Sequence, residues 1–241
     1  MPRAPAAHTA KDASAALRAL ADPEVAAHAA RYFKTGPGEY GEGDQFLGLR
    51  VPQVRAVARA HREMPLAEVR KLLASGYHEE RLCAALILVT QFQRGDEKTR
   101  AAIYRAYVAG LKHLNNWDLV DTSAPHVVGG WLLSRDRSQL YKWARSRSLW
   151  KRRVAIMGTF AFIRQGDFAD TLAIAEILLG DKHDLIHKAA GWMLREVGNM
   201  DRAVEEAFLR KHYQDMPRTM LRYAIEKFPE KRRQAYLKGR V

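Results

Sequence analysis

The segment DLIHKAAGWMLREVG, residues 184–198, carries the pattern that decides the fold. Its apolar residues recur every three to four positions, which is the spacing of one buried face on an amphipathic helix. A basic residue, Lys188, is followed two positions later by a small one, Ala190, which lets a neighbouring helix pack closely. The segment therefore predicts a packed helix, with Trp192 on the same face as Lys188.

The basic-then-small pair returns along the chain at a nearly constant interval. It occurs at Arg153, Lys188 and Arg222, separated by 35 and 34 residues, and also at Arg81, 72 residues before Arg153. The midpoint of that longer interval is Trp117. A period of about 35 residues is long enough for a helical hairpin, and stacked hairpins form a HEAT-like solenoid. The chain is predicted to be all-α, a HEAT-like helical-repeat solenoid whose register residues line a concave basic groove.

The other segments fit one domain covering residues 1–241. Runs of alternating β-branched residues, which would indicate strands, are missing. Residues 1–15 are basic and Ala-rich, and they are predicted to form a flexible tail. The segment TGPGEYGEGDQ, Thr35 to Gln45, has four glycines and three acids and is predicted to be a mobile, negatively charged loop. It lacks the Lys and Ser/Thr of a phosphate-binding P-loop.

The charge of the chain indicates a polyanionic partner. Lysine and arginine number 40 against 27 acids, which gives a formal net charge of +13. Such a protein is attracted to DNA, RNA or an anionic membrane. The basic residues are spread along the chain instead of lying on one amphipathic helix, which disfavours a membrane surface. The single cysteine and the short apolar runs favour the cytoplasm, with nucleoid association through DNA.

The segment NNWDLVDTSAP, Asn115 to Pro125, places an indole and a carboxylate on one helix face, since Trp117 and Asp121 are four residues apart. The repeat register adds Arg153 and Trp192 to the same surface. One interpretation is that both tryptophans are ordinary core residues. The other is a site for a cation. A carboxylate would repel phosphate, so DNA binding alone does not explain it, whereas a carboxylate and indole faces both attract a positive charge. An N-alkylated purine in DNA is such a cation, and Asp121 could stabilise the oxocarbenium character that forms when its glycosidic bond breaks.

Three other patterns have competing interpretations. Asp118 could form an acid–base pair with Asp121, but its position at a helix start favours a structural role. His183 and His187 have zinc-ligand spacing without an evident third ligand. Lys151 could form a Schiff base, although the presence of Asp121 argues against one.

At these residues the sequence resembles the bacterial AlkD-type DNA alkylation repair glycosylases, which are built from HEAT-like repeats. The resemblance runs from about Ala30 to Phe228. It rests on the motifs ARYFK, FLGLRVPQVR, NWDLVD, LWKRRVAI and KAAGWMLRE. It implies that Trp117, Asp121 and Trp192 form the lesion site and that Arg153 holds a backbone phosphate near it.

The resemblance further implies excision of N3- and N7-alkylated purines from duplex DNA without a metal or cofactor, leaving an abasic site. Tyr32, Arg55 and Arg195 match DNA-contacting positions of the family, and the chain is expected to act as a monomer. The remaining candidates for phosphate contact follow from charge and register: Arg147, Lys151, Arg152, Lys188, Arg218 and Arg222. Two alternatives stay open, a non-catalytic HEAT-like module for DNA or RNA and a glycosylase specialised for bulky or crosslinked adducts.

Overall fold

The computed structural model describes residues 8–241. Within these residues the backbone is helical apart from connecting turns, and the one extended pairing is an isolated bridge between Gln45 and Tyr77. The all-α helical-repeat class is therefore confirmed. Backbone contacts divide the chain into an N-terminal unit that ends at Val127 and a C-terminal unit, Val128–Val241, where the sequence predicted a single domain.

The N-terminal unit is built around one central helix, α5. Its helices are α1 (Ala10–Arg18), α2 (Pro23–Tyr32), α3 (Val51–Ala60), α4 (Leu66–Leu73), α5 (His78–Arg94), α6 (Glu97–Ala109), a 3-10 turn (Leu111–His113) and α7 (Trp117–Ala124). Helices α1, α3, α4, α6 and α7 all pack against α5. The stretch of α5 from Leu82 to Val89 is apolar on every side and is buried, as expected of a central helix.

The C-terminal unit is arranged in the same way around α13. A π-helical turn (Pro125–Gly129) follows α7. The later helices are α8 (Gly130–Leu132), α9 (Ser138–Ala144), α10 (Leu149–Gly158), α11 (Phe160–Ile163), α12 (Ala169–Ile177), α13 (Asp184–Met200), α14 (Arg202–His212), α15 (Arg218–Ala224), a 3-10 turn (Ile225–Lys227) and α16 (Glu230–Leu237). Helices α10, α11, α12, α14 and α15 pack against α13.

The small residues of the repeat register lie where the sequence predicted them, in the contacts between helices. Cys83, Ala155, Ala190 and Ala224 are all completely buried, on α5, α10, α13 and α15 respectively. A side chain of this size lets the neighbouring helix approach closely, so the register reflects packing.

The sequence predicted that the basic residues of the register lie on one surface, and this is wrong for two of them. Arg81 and Arg153 are each only 4% exposed. The Arg81 guanidinium donates to the carbonyl of Ser75 and pairs with Asp44, and Arg153 donates to the carbonyl of Leu185. Burial is possible because each guanidinium finds acceptors inside the protein.

The predicted flexible tail, residues 1–15, is wrong for residues 10–15, and residues 1–7 lie outside the described part. Helix α1 begins at Ala10, and Thr9 and Asp12 form a capping box that satisfies its first N–H groups. Ala13 and Leu17 are completely buried. These apolar contacts hold the segment against the unit, which its Ala-rich composition did not reveal.

The contact between α13 and α15 depends on Gly191. A Cβ at this position would lie 2.4 Å from the carbonyl oxygen of Met220 and 2.6 Å from Cβ of Tyr223. We expect Gly191→Ala to destabilise the protein by about 1–3 kcal/mol, because the backbone clash outweighs the better helix propensity of alanine. Urea unfolding measures the change. Gly180→Ala is the matched control, since a Cβ there meets nothing within 4 Å, and equal effects of the two substitutions would contradict the packing argument.

Candidate functional site

Helix α7 presents Trp117 and Asp121 on its accessible side. The helix begins after Asn116, whose side chain accepts the backbone N–H of Trp117 at 2.8 Å. Trp117 and Asp121 are both partly exposed. The opposite face packs into the unit through Leu119, Val120, Ser123 and Ala124. The spacing in the sequence thus gives the expected shared face, and Trp117 is not a core residue.

The indole of Trp117 lies in an aromatic stack with residues from the end of α2. Phe33 stacks on it with ring centroids 5.4 Å apart, and Phe46 stacks on Phe33 at 5.2 Å. Tyr32 meets the indole edge-on at 6.1 Å and is itself 59% exposed. These contacts fix the orientation of the indole while leaving part of it accessible.

A buried histidine connects the stack to the start of α7. The ring of His78, the first residue of α5, binds Asp44 through Nδ1 at 3.0 Å and Asp118 through Nε2 at 2.8 Å. Burial disfavours the charged ring, but Asp118 and Asp44 outweigh it and raise the pKa of His78 to about 9. Both ring N–H groups therefore donate at neutral pH. His78 also stacks on Phe46, with centroids 4.6 Å apart.

The contact with His78 explains Asp118. Its carboxylate lies in the first turn of α7 and holds the imidazolium, so the structure gives it the structural role favoured by the sequence. Asp44 also forms an ion pair with the guanidinium of Arg81. Burial would raise the pKa of Asp44, yet His78 and Arg81 together hold it below the usual range.

The Gly-rich loop, residues 35–45, turns its acids toward its own backbone. Glu39 accepts the N–H of Gly36 at 2.9 Å, and Glu42 accepts the N–H of Gly38 at 3.0 Å. The side chain of Asp44 is completely buried. The sequence predicted a mobile, negatively charged loop. In the structure each of its three carboxylates accepts a hydrogen bond.

The C-terminal unit places Trp192 and Arg195 on α13 beside acidic partners. Trp192 is partly exposed, and its Nε1 donates to Glu196 at 2.8 Å. It is therefore not a core residue either. Arg195 is only 18% exposed and pairs with both Glu196, at 3.3 Å, and Glu226. Its charge is largely balanced within the protein.

Arg152 connects two interhelical loops. Its guanidinium pairs with Asp181 at 2.6 Å and donates to the carbonyls of Ser146 and Arg147, each at 3.0 Å. The Asp181 side chain is only 6% exposed. Arg152 therefore has a structural role in this unit, which its place in the basic segment LWKRRVAI did not indicate.

Five of the predicted DNA-contacting cations are exposed: Arg55, Arg147, Lys151, Arg218 and Arg222. Within residues 8–241 none of these five side chains forms an ion pair. Lys188 is partly exposed and pairs with Asp184 at 2.7 Å. The predicted cations thus divide into accessible ones and ones held by carboxylates, a division that the sequence did not show.

The histidine pair of α13 has local roles. His183 caps the helix by accepting the N–H of Leu185, and His187 Nε2 bonds the carbonyl of Asp181 at 2.6 Å. Among the described residues no three His, Cys, Asp or Glu side chains are placed to hold a metal ion. None of the helices described is both long and apolar enough to cross a bilayer.

Comparisons with known proteins add a family and a fold. The family model described as DNA alkylation repair enzyme matches residues 13–228. A solved structure titled "Predicted DNA alkylation repair enzyme from Enterococcus faecalis" superposes with a TM-score of 0.67 and 18% sequence identity, covering 87% of this chain and 97% of that one. At this identity the superposition shows the fold alone. No curated protein sequence matches the chain significantly.

The buried imidazolium predicts that stability depends on pH. Between about pH 6.5 and 9 the folded protein keeps the His78 proton and the unfolded chain does not, so stability should fall with rising pH, by on the order of 3 kcal/mol. Urea unfolding across pH 6–9.5 measures the change. The protein used should carry Glu205→Gln, because burial raises the pKa of Glu205 to about 8 and gives a decline of the same sign. Adding His78→Gln should remove the decline, and an unchanged slope would contradict the assignment.

Proposed function

Because the chain belongs to the DNA alkylation repair enzyme family, whose model spans residues 13–228, we propose that it is a monofunctional DNA glycosylase. The family assignment confirms the resemblance seen in the sequence. The proposed substrates are positively charged N3- and N7-alkylated purines in duplex DNA, and the products are the free base and an abasic site. The observation that carries the proposal is the pairing of Trp117 and Asp121 on the accessible side of α7.

The pairing suits a cationic substrate. A carboxylate repels the phosphates that a chain of net charge +13 attracts, so duplex binding alone gives no reason for it. An alkylated purine carries a positive charge that an indole face attracts. Phe33 stacks on the indole of Trp117 and holds the ring in place before the substrate arrives, so little reorganisation is needed on binding.

The reaction then needs only a carboxylate and a water molecule. The bond between C1′ and the purine nitrogen breaks heterolytically, and its electron pair neutralises the charge on the departing base. The sugar becomes cationic at C1′, and Asp121 stabilises this charge electrostatically. Water attacks C1′ and releases a proton, which Asp121 or solvent accepts. No general acid is required, because the base leaves as a neutral molecule.

The predicted residues of the C-terminal unit enter the same proposal. Trp192, whose Nε1 is held by Glu196, is proposed as the second lesion-site aromatic. Arg153 is proposed from the resemblance as the residue that holds a backbone phosphate. Because it is only 4% exposed and donates to the carbonyl of Leu185, this role requires its guanidinium to move toward the phosphate.

DNA binding is assigned first to the exposed residues. Tyr32 and Arg55 serve in the N-terminal unit, and Arg147, Lys151, Arg218 and Arg222 in the C-terminal unit. Lys188, which is partly exposed and pairs with Asp184, is proposed to join them. Arg152 and Arg195 would have to exchange acidic partners for phosphate, so we assign them a smaller share. A monomeric state, independence of cofactors and a cytoplasmic, nucleoid-associated location complete the proposal.

We expect Asp121→Asn to reduce excision at least about 100-fold while leaving duplex affinity intact, because the substitution removes the charge that stabilises the sugar cation. Single-turnover release of 7-methylguanine from a defined duplex measures excision. Glu63→Gln is the control for net charge, since this acid of the same unit is 65% exposed. Unchanged excision by the Asn variant would refute the mechanism. Wild-type protein that binds duplex without releasing the base would favour a binding module or a bulky-adduct enzyme.

Salt dependence separates the exposed cations from the paired ones. Arg55→Gln, Lys151→Gln and Arg222→Gln should each lower the slope of log affinity against log salt by about 0.9, because each removes one phosphate contact. Arg152→Gln should leave the slope nearly unchanged and lower the stability, since it strands the buried Asp181. Fluorescence anisotropy with undamaged duplex measures the slopes. A large decrease in the salt slope for Arg152→Gln would show that this paired arginine binds phosphate and would contradict the division into exposed and paired cations.

A further inference from the structure

Lys34 has a backbone conformation that ordinarily belongs to glycine. Among the described residues it is the one non-glycine residue with positive φ, at +57°. The fold requires this conformation, because Lys34 reverses the chain at the end of α2. The N–H of Lys34 donates to the carbonyl of Arg31, and the N–H of Thr35 donates to the carbonyl of Ala30. This is the Schellman arrangement, in which glycine is the preferred residue.

The loop that follows also uses the backbone of Lys34. Its carbonyl accepts the N–H of Gly41 at 2.9 Å, which closes the Gly-rich loop onto the end of α2. Glycine would make all of these bonds without the contact between Cβ and backbone that disfavours the left-handed region for other residues. The local fold therefore accounts for the conformation and not for the lysine side chain.

Contacts of the side chain do not account for it either. The side chain is 57% exposed, and its ion pair with Glu39 is 4.0 Å long. Exposed pairs of this kind contribute little to stability. A strained residue whose side chain does little for the fold is a candidate functional residue, since such strain concentrates at functional sites.

The position of Lys34 indicates the ligand. It follows the exposed Tyr32 by two residues, and Tyr32 meets the indole of Trp117 edge-on. We propose that Lys34 binds a phosphodiester of the DNA strand beside the aromatic pair, and that Glu39 holds its ammonium group when DNA is absent. This inference rests on the proposed function. A nucleotide whose base reaches the aromatic residues brings its own phosphate with it, and an ammonium group binds phosphate as a compact point charge.

Charge removal gives the first test, by anisotropy with undamaged duplex at several salt concentrations. Lys34→Gln should lower the salt slope by about 0.9 and weaken binding several-fold at low salt. Lys98→Gln is the matched control in the same unit, an exposed lysine of α6, and should leave the slope nearly unchanged. Lys34→Arg should keep the slope. Glu39→Gln, which preserves an acceptor for the N–H of Gly36, should tighten binding by removing the competing carboxylate.

Thermal unfolding gives the second test. Lys34→Gly should raise Tm by about 2 °C, because it relieves the backbone strain, while weakening DNA binding as Lys34→Gln does. Gly166→Ala calibrates the strain, since Gly166 has φ +74° and open space at its Cβ, and it should lower Tm.

The outcomes separate this proposal from the one it rests on. Wild-type protein that binds duplex with a steep salt slope, together with an unchanged slope for Lys34→Gln, would overturn the role of Lys34 and leave the glycosylase proposal standing. Wild-type protein with no duplex affinity would overturn both. Weaker binding by Lys34→Gly together with a higher Tm supports the proposal, because a purely structural lysine would not combine the two effects.

Discussion

The N-terminal unit depends on one buried imidazolium. His78 stands at the start of α5, the helix against which α1, α3, α4, α6 and α7 pack. Its two ring nitrogens bind Asp44 of the Gly-rich loop and Asp118 of α7. A buried cation is tolerated only where opposite charges and hydrogen bonds replace its hydration. Loop, central helix and α7 are therefore fixed together, because separating any one of them would leave an unpaired charge inside the protein.

This arrangement bears directly on the proposed site. Trp117 immediately precedes Asp118, and it stacks on Phe33, which in turn packs against the ring of His78 at 4.8 Å. The same imidazolium thus restrains the indole through the backbone of α7 and through the aromatic stack. Geometry restrained at two points is preorganised, which is the property that an electrostatic mechanism requires.

Much of the fold could be predicted from periodicity, because each helix carries its own apolar face in its local sequence. Asp184–Met200 follows the pattern almost to the residue. That Trp117 and Asp121 share one helix face was predictable for the same reason. Pairings between distant residues were not. Asp181 lies 29 residues from Arg152 in sequence and Glu226 lies 31 from Arg195, and no local pattern shows that these cations are held by carboxylates.

Pairings of this kind reduce an apparent conflict in the sequence. Three acids, Glu39, Glu42 and Asp44, lie close to the residues proposed to meet DNA, where free carboxylates would oppose binding. Asp44 is neutralised inside the protein by His78 and Arg81. The other two accept backbone N–H groups of their own loop. Of these two glutamates, Glu39 also pairs with a cation, Lys34. The loop therefore connects to α7 through His78 with one of its three acids neutralised. Glu39, the carboxylate that faces Lys34, is where binding can be tuned.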